Sequence, residues 1–195
     1  MAKIARLKIE LDEMEPPVLR RIEVAPAIRL DKPHLVIQGA MGWENYHLYA
    51  FHAGRSAAYG LPDPNWPDPD TLSVKTASLA DLLGRLKHGE SFQYNYDFGD
   101  DWLHTIKLEA LVEADAERTY PRLIDARGRC PPEDSGGPWG YGHYLEAIAD
   151  PEHEDHDEMI DWHGPDFDPH KVDEAARRKA VARLARPRRG KARAK

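Results

Sequence analysis

Four side chains near the middle of the chain could bind a cation or carry out acid–base chemistry. Residues 96–104 read YDFGDDWLH, which places Asp97, Asp100, Asp101 and His104 within eight residues. Carboxylates and imidazoles bind divalent cations and act as general acids and bases. Asp and Gly are also the residues that tight turns favour, and an alternating strand after the turn would bury His104 in the core. The segment therefore predicts either a structural turn or part of a metal site.

A second candidate segment, residues 150–168, contains nine carboxylates, three histidines and no basic residue. His153 and His156 are three positions apart, so a helix would place them on one face, beside Asp157. Two histidines and one carboxylate can bind a transition metal. Acidic residues at a helix N-terminus are also stabilised by the helix dipole. The segment predicts an acidic helix start, or a site for a metal or a basic partner.

The third segment, residues 130–141, reads CPPEDSGGPWGY. Its glycines match neither a phosphate-binding loop nor a dinucleotide fingerprint. Cys130 is the one cysteine in the sequence, which excludes a disulfide within the chain and a four-cysteine zinc site, and favours a reducing compartment. We expect a rigid loop, and we expect Trp139, Tyr141, Leu145 and Trp162 to cover one face of a sheet.

Charge is distributed unevenly along the chain. Ten of the 27 Lys and Arg residues lie from Arg177 to Lys195, without an acid, so the chain before Arg177 has 17 basic and 34 acidic residues and a net charge of −17. Such a body should attract cations or basic partners and repel nucleic acid. The basic residues after Pro187 predict at most weak, nonspecific, salt-sensitive nucleic-acid contact; they are Arg188, Arg189, Lys191, Arg193 and Lys195.

No apolar stretch approaches the roughly 20 residues that a membrane span requires, so no membrane association is expected. The N-terminus alternates charged and apolar residues, unlike a signal peptide. We therefore expect a cytoplasmic protein.

The elements that must position these segments follow from periodicity and capping. Alternation predicts strands at Lys3–Leu11, Val18–Val24, 47–51, 92–98 and 102–112. A helix should follow Asp31 as N-cap and end at Gly42, and Ser78 with Asp81 should form the capping box of a short helix. Gly99 should occupy the left-handed position of a hairpin turn between the last two strands. Further helices are predicted at 144–149, 156–162 and 169–186.

This order predicts an α+β fold with a largely antiparallel sheet that begins ββαβ and has the C-terminal helices packed on it. A β-grasp-like arrangement fits this order. We expect one domain at residues 1–176. Residues 177–186 should be the basic end of the last helix, and 187–195 a disordered basic tail. The proline-rich stretch 61–70 should be a loop.

Taken together, five segments resemble the plasmid pRiA4b ORF-3-like family. The segments are 16–21 (PPVLRR), 34–43 (HLVIQGAMGW), 94–104, 130–141, and 150–162 followed by FDP at 167–169. The positions that carry the resemblance are Arg20, Arg21, Trp43, Tyr96, Gly99, Trp102, Cys130, Pro131, Pro132, Glu133, Asp134, Gly136, Gly137, Trp139, Tyr141 and Trp162. Ser135 stands where the family usually has a second cysteine, which argues against a role for a cysteine pair.

The resemblance implies an α+β fold and an association with plasmids and insertion elements, but little about activity. Some members are labelled resolvase-like; the serine, arginine cluster and helix-turn-helix of a serine recombinase are not recognisable in this sequence. The leading hypothesis is a non-enzymatic cytoplasmic binding or accessory protein whose acidic groove accepts a basic protein segment or a divalent cation, the one cofactor that the sequence suggests.

One alternative is a metal-dependent hydrolase or nuclease that uses some of Asp97, Asp100, Asp101, His104, His153 and His156. Another is a mobile-element-associated accessory protein that binds nucleic acid.

Overall fold

One sheet of eight strands organises the computed structural model, which describes residues 2–54, 57–61 and 70–185. The strands are β1 (Lys3–Leu11), β2 (Val18–Val24), β3 (Tyr49–His52), β4 (Ala58–Gly60), β5 (Thr71–Ser73), β6 (Ser91–Tyr96), β7 (Trp102–Glu113) and β8 (Arg122–Arg127). Their order is β5-β4-β3-β6-β7-β1-β2-β8. The pairs are antiparallel except β4–β5, which is parallel.

In the described part of the chain, five helices accompany this sheet: α1 (Asp31–Met41), α2 (Leu79–Leu83), α3 (Gly137–Ala149), α4 (His156–His163) and α5 (Glu174–Ala182). Helix α1 packs against β2 and α5, α5 packs against β8, and α3 packs against α4. The α+β fold class with a largely antiparallel sheet is therefore confirmed. Among the described residues, no helix has the length and apolar content needed to cross a membrane.

The central strands follow the predicted alternation. In β1, Leu7, Ile9 and Leu11 are buried, whereas the residues between them are partly exposed. On the opposite face, Arg6 donates two hydrogen bonds to Glu23 of β2, at 2.8 and 3.1 Å. One face of the sheet therefore contributes to the core and the other carries cross-strand ion pairs.

Arg20 joins three elements from inside the core. Its side chain is fully buried. The Nε atom donates to the carbonyl of Ala40 in the last turn of α1 (2.7 Å), and Nη1 donates to the carbonyls of Leu19 (2.8 Å) and Arg127 (2.7 Å). A buried guanidinium that satisfies three carbonyls fixes the helix end and β8 against β2.

The predicted helix boundaries are partly correct. Gly42 ends α1 in a left-handed conformation (φ 107°) with its N–H bonded to the carbonyl of Gln38, and Ser78 and Asp81 form the predicted capping box. The prediction that Asp31 is the N-cap is wrong: Asp31 is the first helical residue, Leu30 precedes it, and the Asp31 carboxylate binds Arg29.

The C-terminal third differs more from expectation. Helix α3 begins at Gly137 rather than at 144, because a proline is tolerated in a first helical turn, and α5 begins at Glu174, capped by Asp173. Trp139 is 84% exposed and Trp162 44% exposed, so neither covers the sheet, whereas Tyr141 is buried. Strands β4, β5 and β8 were not predicted. The predicted loop 61–70 lies mostly, and the predicted tail 187–195 entirely, outside the described residues.

Candidate cation-binding site

The turn between β6 and β7 is held by its own carboxylates. Asp97 has φ 57° and Asp101 has φ 56°, the left-handed region that aspartate tolerates better than most residues. The side chain of Asp97 accepts the N–H of Gly99 (3.0 Å), and its carbonyl accepts the N–H of Asp101 (2.7 Å). The expectation that Gly99 occupies the left-handed position is wrong, because the two aspartates take that role.

The other two carboxylates of this turn make structural bonds. Asp100 Oδ2 accepts the N–H of Gly136 (3.0 Å), which ties the loop before α3 to the turn. Asp101 Oδ1 accepts a hydrogen bond from Asn95 Nδ2 (2.6 Å) in β6. A Cβ added to Gly137 would lie 2.3 Å from the carbonyl oxygen of Asp100, so the two segments are in close backbone contact.

His104 is a core residue rather than a cation ligand. It is fully buried, and its Nδ1 lies 3.2 Å from the carbonyl oxygen of Tyr94 and 3.0 Å from that of Trp102. The ring meets Trp43 edge-on, with centroids 5.4 Å apart. Burial lowers the pKa of His104 to about 4, so the imidazole is neutral and donates from Nδ1. The sequence-based assignment of His104 to a metal site is therefore corrected.

Asp97 instead faces a histidine that precedes β3. His47 Nδ1 lies 3.5 Å from Asp97 Oδ2, and His47 Nε2 lies 3.1 Å from Asp134 Oδ1 and 3.8 Å from Glu133 Oε2. We call His47, Asp97, Glu133 and Asp134 the acidic cradle. The carboxylate of Asp97 is largely buried, whereas that of Asp134 is 68% exposed, so the cradle opens to solvent on one side.

Glu133 is fixed at the base of the acidic cradle. Its Oε1 accepts the N–H of Glu44 (2.7 Å) and the hydroxyl of Tyr96 (3.1 Å). Burial raises the pKa of Glu133, and the Glu44 N–H, the Tyr96 hydroxyl and His47 oppose that shift. Crowded, partly desolvated carboxylates are stabilised by a positive charge placed among them. The electrostatics of the cradle therefore favour a positive charge among its carboxylates.

The donor atoms also have the spacing of metal ligands. Donor atoms of His47, Asp97 and Asp134 all lie within 4.8 Å of one another. An ion about 2.1 Å from each of two donors holds them about 3.0–3.4 Å apart. The 3.1 Å between His47 Nε2 and Asp134 Oδ1 falls in this range. One imidazole with carboxylates suits a divalent transition metal.

Exposed apolar side chains flank the acidic cradle. Tyr46 and Leu48, on either side of His47, are 71% and 60% exposed, and Phe98, which follows Asp97, is 55% exposed. The backbone links them, since the Asp97 N–H donates to the Leu48 carbonyl (2.9 Å). Grouped exposed apolar side chains of this kind mark interaction surfaces. We call Tyr46, Leu48 and Phe98 the apolar rim.

A groove of about 840 Å³ begins beside the acidic cradle. Glu44, Tyr46 and Glu133 line it at the cradle, and Arg129, Lys171 and Arg177 line it elsewhere. Asp166 and Asp173 also line it, so the predicted acidic groove is a groove of mixed charge.

The predicted grouping of His153, His156 and Asp157 is not formed. The Nδ1 of His156 is 2.8 Å from the carbonyl oxygen of Ala147, which fixes this ring to α3. His153 instead lies near His143 and Asp155. Of the six predicted ligands, Asp97 belongs to the cradle, His153 to this second group, and Asp100, Asp101, His104 and His156 make the structural contacts given above.

Cys130 does not act as an exposed thiol. It is buried, and burial raises the pKa of its thiol to about 12, although Arg20 and Arg177 oppose the shift. The adjacent Pro131 carbonyl accepts a hydrogen bond from Trp43 Nε1 (3.0 Å). Both observations fit a structural role for the start of this loop.

Comparison with known proteins identifies the family of this chain. A family described as plasmid pRiA4b ORF-3-like protein matches residues 3–176. The chain belongs to this family. The pRiA4b ORF-3-like assignment expected from the five sequence segments is therefore confirmed.

Two relatives cover almost the whole chain. The uncharacterized protein y4hQ of Sinorhizobium fredii (strain NBRC 101917 / NGR234) is 45% identical over 188 residues, which is 95% of this chain and 94% of y4hQ. The crystal structure of MM3350, a protein of unknown function from Methanosarcina mazei Go1, has a TM-score of 0.78 and 32% identity, covering 90% of this chain and 97% of that chain.

In this pRiA4b ORF-3-like chain, the acidic cradle unites two of the family-motif segments with a residue that sequence reasoning missed. Asp97 comes from segment 94–104, and Glu133 and Asp134 come from segment 130–141. His47 belongs to none of the five segments. The sequence points to His47 only indirectly. If the strand after His47 is paired with the strand before Asp97, as β3 and β6 are, the two residues come together.

Proposed function

We propose that this pRiA4b ORF-3-like chain is a cation-binding accessory protein whose site is the acidic cradle and whose ligand is a divalent transition-metal ion. The observation that supports the proposal is the position of His47 among Asp97, Glu133 and Asp134, at distances of 3.1–3.8 Å. A structural ion pair needs only one carboxylate beside the imidazole, whereas three carboxylates lie around His47.

The two sides of the His47 ring support different tasks. Asp97, fixed by the Gly99 N–H, faces Nδ1 and can hold a proton there. Nε2 faces Glu133 and Asp134 and is then left with a lone pair for a metal. A carboxylate on the far nitrogen of a ligating histidine orients the ring and raises its basicity. Asp97 is therefore proposed as the orienting residue, and His47 Nε2 and Asp134 Oδ1, 3.1 Å apart, as the ligands, with the Glu133 carboxylate beside them as a further negative charge.

The experiment is metal analysis of tag-free, full-length protein purified without chelator, followed by thermal unfolding with Mn²⁺, Co²⁺, Ni²⁺, Zn²⁺, Mg²⁺ and Ca²⁺. Free metal at about 100 times Kd stabilises a folded protein by about 2.7 kcal/mol, which is a rise in Tm of about 5–10 °C at this size. We expect a rise of that order with a transition metal, and a smaller metal-dependent rise in His47→Gln and Asp134→Asn than in wild type.

Matched controls separate this effect from general changes in charge. His88→Gln and Glu117→Gln alter exposed residues away from the acidic cradle, and should keep the metal-dependent rise in Tm. Equal metal responses in wild type and His47→Gln would contradict the proposal.

A second candidate is a basic segment of a partner protein, and the apolar rim is the observation that favours it. A lysine or arginine could enter the acidic cradle while its neighbours contact Tyr46, Leu48 and Phe98. The probe is a labelled peptide of residues 186–195, compared by fluorescence anisotropy with a peptide in which every Arg and Lys is Gln. Salt-sensitive binding that is lost in Asp134→Asn and Leu48→Ser, with no metal response, would favour this candidate over the metal.

A further inference from the structure

Three side chains outside the acidic cradle meet where α3 turns into α4. His143 lies on α3, and His153 and Asp155 lie in the connection 150–155. Hydrogen bonds from the N–H of His153 to the carbonyl of Asp150 and from the N–H of His156 to the carbonyl of His153, both 3.0 Å, fold this connection into successive turns. We call His143, His153 and Asp155 the histidine corner.

The histidine corner is closely spaced. His143 Nε2 lies 2.9 Å from Asp155 Oδ2, and the rings of His143 and His153 are 5.3 Å apart between centroids, at 70°. A donor atom of each residue lies within 4.8 Å of the other two, and all three residues are half-buried. An ion from solvent can therefore reach donors that already converge.

The orientation of Asp155 is unusual for its position. Asp155 precedes the first residue of α4, where an aspartate usually accepts a backbone N–H of the first helical turn. Its side chain makes no such bond and turns to His143 instead. Its own N–H donates to His153 Nδ1 (3.1 Å). The residue that would cap the helix thus interacts with both histidines.

We propose that the histidine corner binds a divalent transition-metal ion, separately from the acidic cradle. Two imidazoles and one carboxylate are the donor set that Mn²⁺, Fe²⁺, Co²⁺, Ni²⁺ and Zn²⁺ accept, with coordination positions left for water or a ligand. The ion takes the position of the hydrogen between His143 Nε2 and Asp155 Oδ2, and the neutral His143 imidazole then carries its proton on Nδ1. The site joins α3 to the start of α4.

Trp139 provides a local reporter. It lies one turn before His143 on α3, stacks on that ring with centroids 6.1 Å apart and planes 9° apart, and is 84% exposed. A paramagnetic ion on His143 would quench its fluorescence. Quenching that disappears in Trp139→Phe, while calorimetry still shows binding, assigns the signal to this tryptophan.

The test is a Ni²⁺ titration of tag-free, full-length protein, followed by tryptophan fluorescence and calorimetry. His153→Gln is the main variant because it leaves the stack of Trp139 on His143 intact. Loss of a residue that only orients a ligand typically weakens metal binding about 10–100-fold, so loss of a direct ligand should weaken it at least about tenfold. His88→Gln is the matched control and should bind like wild type.

The cradle variant His47→Gln separates the two proposals. We expect it to keep the quenching and lose one equivalent of metal, whereas His153→Gln should lose the quenching and keep the cradle equivalent. Equal Ni²⁺ affinity in wild type and His153→Gln, absence of saturable quenching, or quenching that depends on His47 would each overturn the histidine corner as a metal site. Failure of His47→Gln to change stoichiometry would count against the cradle alone.

Discussion

Two buried histidines should make the fold sensitive to mild acid. His34 Nδ1 lies 2.8 Å from the Tyr94 hydroxyl, its Nε2 contacts Asn45, and its ring stacks on Tyr49 with centroids 3.5 Å apart. His104 lies deeper, with Nδ1 toward backbone carbonyls. Burial lowers the pKa of each imidazole from about 6.5 to about 4.

The direction of the pH effect follows from these values. Between pH 6.5 and 4 the unfolded chain binds protons at His34 and His104 that the folded chain excludes, so the free energy of unfolding decreases as pH falls through this window. Each such histidine lowers the free energy of unfolding by about 2 kcal/mol at pH 5 and by about 3 kcal/mol at pH 4. Together they remove about 4 kcal/mol at pH 5, against a typical total of about 5–15 kcal/mol.

Urea unfolding at pH 7, 6 and 5 and constant ionic strength measures this effect. Wild type should lose about 4 kcal/mol from pH 7 to 5, reduced by Glu133, whose raised pKa acts in the opposite direction. His34→Gln should be less stable at pH 7 but lose about 2 kcal/mol less over the same range. The exposed control His88→Gln should follow wild type. An identical pH dependence for His34→Gln and wild type would refute the argument.

Three further substitutions test how the turn and the core are held. Arg20→Met removes the donor from the Ala40 carbonyl, where the bond is buried, and from the Leu19 and Arg127 carbonyls, where it is part-buried. It should lower the free energy of unfolding measured in urea by about 3–5 kcal/mol. A loss under about 1 kcal/mol would contradict the role of this guanidinium. Gly137→Ala, at φ 69° and with its Cβ 2.3 Å from the Asp100 carbonyl oxygen, should lower stability by about 2 kcal/mol or more. Gly99→Ala, whose Cβ meets only Asp97 Oδ1 at 3.3 Å, should change the free energy of unfolding by less than about 1 kcal/mol. A larger loss would indicate that Gly99 needs the left-handed conformation after all.

Local features of this chain could be predicted from the sequence because they depend on near neighbours. The alternation in β1 and β2, the Ser78–Asp81 capping box and the left-handed Gly42 each involve residues a few positions apart. Such features are favoured by backbone geometry and short-range hydrogen bonds before any tertiary contact forms.

Strand β8 could not be predicted from its own residues. Residues 122–127 (RLIDAR) do not alternate cleanly, and they form a strand because β2 supplies the pairing partners and Arg20 supplies a donor to Arg127. The same holds for His34, a polar residue that α1 places in the core only because Tyr94, Asn45 and Tyr49 are there to receive it. Burial of a polar group depends on partners that are distant in sequence.

The acidic cradle was decided by tertiary structure. The sequence alone determined that the chain is acidic before residue 177, that a turn lies at Gly99 and Asp100, and that Glu133 and Asp134 lie in a loop. The predicted loop 130–141 was wrong for residues 137–141, which belong to α3. The sequence did not determine which carboxylates meet a histidine. Pairing of β3 with β6 brings His47 to Asp97, and the bond from Asp100 to Gly136 brings Asp134 to both. These contacts join residues about 36–50 positions apart, and their free energy comes from packing the whole sheet, which no local pattern encodes.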